Sequence, residues 1–105
     1  MAVAVEVRVT GDAERRAFRL ASAVGEDGIR LERPAPFEVG RPVDVRFLLP
    51  DAPTALVLRA EITLAHEDGE GEHGGRELAF LSAPLEARQE IHRYVARRIG
   101  LPAGV

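Results

Sequence analysis

The feature that most constrains this chain is strict two-residue alternation between apolar and polar side chains. It is clearest from Gly28 to Phe47, where Ile29 and Leu31 alternate with Arg30 and Glu32, and Val43, Val45 and Phe47 alternate with Asp44 and Arg46. Alternation of this period sends one row of side chains into a core and the other into water, which is the signature of a half-buried strand. Between the two runs stand Pro34, Pro36, Gly40 and Pro42, which break a helix and favour turns. The centre of the protein is therefore an antiparallel β unit with one wet face.

The pattern recurs along the chain. Val3, Val5, Val7 and Val9 alternate with Ala4, Glu6, Arg8 and Thr10, and Gly11-Asp12 marks the turn that follows. In the next run Phe18, Leu20 and Val24 are read as one face, with Arg19, Ala21 and Ala23 on the other. Gly25-Glu26-Asp27-Gly28 turns into the central unit. After Pro50-Asp51-Ala52-Pro53, Leu56, Leu58, Ala60, Ile62 and Leu64 form one face of a long strand over 55–65. Leu78, Phe80 and Ser82 carry a sixth strand beyond the polar, Gly-rich stretch 67–75, read as a flexible hairpin loop.

Only the last stretch changes period. Ala87, Ile91, Tyr94, Val95, Arg98 and Ile99 fall at helical spacing. Pro84 suits a first turn, Glu86 and Glu90 come early, Arg93, Arg97 and Arg98 come late, and Gly100 and Pro102 end the run. The expectation is a mainly β fold: a six-stranded antiparallel β-barrel with one C-terminal α-helix over about 84–99. One domain over 1–100 is expected, with 101–105 as a short tail.

Composition excludes several function classes. The net charge is −3, so the totals do not argue for DNA or RNA binding, and five aromatics are few for a base-stacking platform. There is no Cys, hence no disulfide, thiol nucleophile or Cys-based zinc site. All fourteen basic residues are Arg, whose planar forks suit phosphate. No targeting segment and no window of membrane-spanning length is present, so a cytoplasmic protein without membrane insertion is expected. His66 and His92 fall in no triad-like pattern. The acidic stretch with Asp68, Glu70, Glu72 and His73 matches no calcium-loop template and is read as solvated. No catalytic residue, metal ligand or cofactor site is assigned.

The segments Gly28-Ile29-Arg30-Leu31, Phe37 through Asp51, Leu58 through Thr63 and Glu77-Leu78-Ala79-Phe80-Leu81 with the charged helix behind them resemble the PilZ family over roughly residues 16–99. The resemblance implies a six-stranded barrel with a C-terminal helix. Many members bind the bacterial second messenger cyclic di-GMP through an RxxxR motif ahead of the barrel and a (D/N)xSxxG motif near the third strand. Arg forks grip phosphate and stack on guanine, and small residues admit a base edge to the backbone.

Here the second motif is degraded: Gly28 holds its final position, but Gly25 stands at the Ser position and Ala23 at the Asp/Asn position. No arginine-bearing leader is expected ahead of the first strand. Arg15-Arg16-Ala17-Phe18-Arg19 matches RxxxR literally, with Arg15 and Arg19 on one strand face about 13 Å apart. Only a few residues separate it from Ala23, where family members have a strand pair between. Arg8, Arg15, Arg16 and Arg19 are read as a solvated face paired with Glu6 and Glu14.

The expected function is a non-catalytic regulatory or adaptor domain that binds a partner protein and has lost the nucleotide motif. The alternative is direct cyclic di-GMP binding at a displaced site using Arg15, Arg16, Arg19, Gly25 and Gly28. A homo-oligomer through strand edges or the helix face is a further option.

Overall fold

A computed structural model describes residues 3–50, 52–63 and 76–98. Six strands, β1 (Val3–Val9), β2 (Asp12–Val24), β3 (Gly28–Leu31), β4 (Pro42–Phe47), β5 (Leu56–Thr63) and β6 (Glu77–Ser82), precede one helix, α1 (Leu85–Arg98). The strands close into a barrel in the order β1-β2-β3-β6-β5-β4, with every neighbouring pair antiparallel. The stretch read as a hairpin loop, the histidines 66 and 73, Leu64 and the tail 101–105 lie outside the described residues.

Closure follows from the alternation. Val3, Val5, Val7 and Val9 of β1, Ile29 and Leu31 of β3, Val43, Val45 and Phe47 of β4, Leu56, Leu58, Ala60 and Ile62 of β5, and Leu78 of β6 all point into one buried cluster. Their polar alternates stay outside. Because the ring is closed, each described strand is paired on both sides, which corrects the expectation of strand edges free for self-association.

Two turns depend on glycine. The β1–β2 hairpin turns through Thr10-Gly11, with Val9 paired to Asp12, and Gly11 takes φ +86°. Gly40, at φ +87°, is the third residue of a turn in which the Arg41 N–H donates to the Glu38 carbonyl at 3.0 Å. Both φ values lie where L side chains are disfavoured.

The 13-residue β2 overturns one expectation. Phe18 and Leu20, the bulkier apolar face of the sequence reading, are 68% and 48% exposed, whereas Ala21, read on the opposite face with Arg19, is 2% exposed and Ala17 is buried. The β1 register fixes this: Ala17 pairs with Val7 and Ala21 with Val3, both inward valines, so the inward row of β2 is Ala17, Arg19 and Ala21. Small residues fit there because Ala35 and Phe37 of the β3–β4 loop add their bulk to the same buried cluster. A register shift between Ala21 and Ala23 then leaves Ala23 exposed, as expected.

This inversion is directly testable. Ala21→Leu forces added volume into a filled core and is expected to cost about 1–3 kcal/mol. Leu20→Ser, on the wet side, is expected to stay within about 0.5 kcal/mol of wild type. Urea unfolding of both variants distinguishes the two faces.

The helix seats Ala87 and Ile91 in the barrel's cluster, with Tyr94 and Val95 packed against it. This is the apolar stripe expected from the sequence. Its His92 Nδ1 lies 3.2 Å from Glu26 Oε2 in the β2–β3 turn, an exposed contact linking helix and barrel.

Candidate functional site

The five residues singled out as candidate ligand contacts divide between separate places. Arg15 and Arg19 do share one side of β2, on either side of Ala17. Both reach to the β3–β4 loop. The Arg19 Nε donates to the Pro34 carbonyl at 3.0 Å, and its Nη1 donates to the Phe18 carbonyl at 2.8 Å. The Arg15 guanidinium lies over the Phe37 ring, 5.8 Å from its centroid, within cation–π range. The two arginines therefore clasp the loop that carries Ala35 and Phe37 into the core.

Arg16 points the other way, to the outer face. Its Nη1 lies 3.5 Å from Glu6 Oε2, which also accepts from Arg8 Nη2 at 3.2 Å. Arg8 and Arg16 thus pair with Glu6, but Arg15 and Arg19 lie on the other side of β2, so the four arginines do not form one face. The Glu14 backbone N–H donates to Asp12 Oδ1 at 3.3 Å.

Gly25 and Gly28 sit in the β2–β3 turn, where the Gly25 N–H donates to the Gly28 carbonyl at 2.9 Å. They line a shallow groove of about 370 Å³ with Ala23, Asp27, Arg30, Glu77 and neighbouring backbone. The one arginine among its described lining residues, Arg30, lies 3.8 Å from Glu77, and Asp27 adds a second carboxylate to the wall. Arg15, Arg16 and Arg19 do not line this groove.

Gly28 has its own structural reason. A Cβ built on it would fall 2.1 Å from the Leu78 carbonyl oxygen and 3.1 Å from the Leu78 carbonyl carbon. Only glycine allows β3 and β6 to approach this closely, whether or not a ligand is present.

Sequence reasoning missed a second surface. Phe18 and Leu20 stand outside the barrel, and with Ala4, Arg19, Glu32 and Arg33 they line a groove of about 490 Å³. Leu48 and Val57 are also exposed on the same side of the barrel, at 56% and 59%. The signal was in the alternation of β1: once Val3, Val5, Val7 and Val9 are taken as inward, Ala4 and its cross-strand partner Leu20 must be outward. Among the described residues no cluster of His, Cys, Asp and Glu could hold a metal ion, and no helix is long and apolar enough to cross a membrane.

No curated protein matches this sequence. Among solved structures, the Bacillus subtilis inhibitor of motility (MotI/DgrA) superposes with a TM-score of 0.73 at 16% sequence identity, over 94% of this chain. The match takes in 47% of that protein's chain, so this chain spans about half its length, and the likeness is one of fold. The PilZ domain pattern matches residues 1–97. With that match over nearly the whole chain and the six-stranded barrel and terminal helix in place, the chain belongs to the PilZ domain family.

Proposed function

We propose that this is a non-catalytic regulatory or adaptor domain of PilZ type. It acts by binding a partner protein in bacterial cyclic di-GMP-linked signalling or motility, in the cytoplasm, and does not itself bind the nucleotide. The observation that carries this reading is the employment of the arginines. Arg15 and Arg19 hold the β3–β4 loop through Phe37 and Pro34, away from the Gly25–Gly28 groove. A dinucleotide there would meet Asp27 and Glu77 and one arginine, a poor cradle for two phosphates. Motility is favoured as an outcome because the structural neighbour is named an inhibitor of motility. No cofactor enters this reading, and among the described residues no convergent nucleophile, acid and base set supports catalysis.

Calorimetric titration with cyclic di-GMP tests it. The expected result is no heat of binding up to high micromolar dinucleotide. Micromolar or tighter binding that is lost in Arg19→Ala would replace this reading with a direct receptor.

A further inference from the structure

The outer face of β2, β1, β4 and β5 is graded in rows set by the strand register. The first row runs Arg16, Arg8, Asp44, Arg59. The next runs Phe18, Glu6, Arg46, Val57. The third is apolar: Leu20 opposite Ala4, with exposed Leu48 one step beyond the Val5–Phe47 pair. In the first two rows four arginines face two carboxylates, a surplus of positive charge on a chain whose net charge is −3. Among the described residues, Arg46 meets no carboxylate, whereas Arg59 lies 3.5 Å from Asp44. Ala4 leaves a recess beside Leu20 and Phe18, the groove of about 490 Å³.

We infer that this face docks an acidic amphipathic helix of another protein, its apolar side chains over Phe18, Leu20, Ala4 and Leu48 and its carboxylates against Arg8, Arg16, Arg46 and Arg59. The inference rests on the adaptor reading and names its surface and partner chemistry. The dimensions fit one helix: four strands span about 14 Å and the three rows about 13 Å, against a helix diameter of about 10–12 Å. Among the described residues the closed ring leaves no free strand for a partner to extend, so recognition falls to side chains.

Other occupants fit less well. A phospholipid or nucleic-acid surface is uniformly anionic, and here it would meet Glu6 and Asp44 between the arginines and Glu14 and Glu61 just past them. A second copy fares no better. A two-fold axis along the strands sets arginine row over arginine row, and an axis across them sets arginines over leucines.

The test is selection of random peptides of about 16 residues, displayed on phage, against the whole chain. The selected sequences are expected to be acidic, with apolar residues at helical spacing. Phe18→Ser and Arg46→Glu are each expected to weaken the best peptide about tenfold or more. Both residues are exposed, so the thermal midpoints should stay near wild type, and amide shifts on peptide binding should map to β1, β2 and β4. Neutral or basic winners, or winners indifferent to both substitutions, overturn the inference. So do tighter binding to phosphatidylserine vesicles or to a single-stranded oligonucleotide, and dimerisation abolished by Phe18→Ser. Peptides that instead map to α1 overturn this surface while leaving the adaptor reading intact, since that reading falls only to the dinucleotide titration.

Discussion

Gly28→Ala is expected to be the most damaging single-methyl change in the protein. The added Cβ would stand 2.1 Å from the Leu78 carbonyl oxygen and 3.3 Å from Ala79 Cα, all backbone atoms of β6. No rotamer change relieves a clash with backbone, so β3 and β6 must separate along the Gly28–Ala79, Ile29–Leu78 and Arg30–Glu77 pairs. Overpacking of this kind costs about 3 kcal/mol or more, against a total of about 5–15 kcal/mol for a domain of this size. The thermal midpoint should fall by about 12 °C or more. Calorimetric melting in the absence of any ligand checks it. A shift of less than about 3 °C would mean that the seam can yield and that the glycine is not there for packing.

The second large effect is expected at Phe37. This ring is buried in the main cluster although it lies in a loop, between a residue held by Arg19 and the turn at Gly40. Phe37→Ala removes a buried ring from the core cluster, and is expected to cost about 3–5 kcal/mol. Arg15→Ala, which removes the guanidinium stacked on the same ring together with its methylene stem, is expected to cost about 0.5–1 kcal/mol. A double-mutant cycle measured by urea unfolding should show Arg15→Ala losing its effect in the Phe37→Ala background. Additive losses would mean that the arginine does not act through the ring.

The two cases mark what could be read from the sequence and what could not. Strands β1, β3, β4 and β5 alternate a strong apolar residue with a polar or small one, so their inward faces were evident before any coordinates. The helix was legible from its change to helical spacing, to within a residue of its observed start at Leu85. β2 was not, because both of its faces hold apolar residues, and Phe18 with Leu20 outweigh Ala17 with Ala21 on any hydrophobicity count. What decides the face is the partner strand: the valines of β1 already supply bulk, and the loop bearing Phe37 supplies the rest. That contact joins residues distant in sequence, so no local pattern carries it. The Gly25–Gly28 spacing could be read as a remnant of a nucleotide motif, but the reason for Gly28 lies 50 residues away at Leu78. The literal match at Arg15 and Arg19 likewise gave no hint of Pro34 and Phe37 as the groups they hold.

The order in which the ring is joined also has a consequence in time. β1–β2 and β4–β5 are neighbours in sequence, but the ring is completed by β1 against β4 and β3 against β6, pairs separated by long stretches of chain. Bringing such distant segments together loses chain entropy before any contact repays it, so the search for the native state is slow, on the order of milliseconds to seconds. Until β4 reaches β1, the valines that end up in the core remain exposed to water and to other chains, and it is during that interval that a cell making this protein is most exposed to its aggregation.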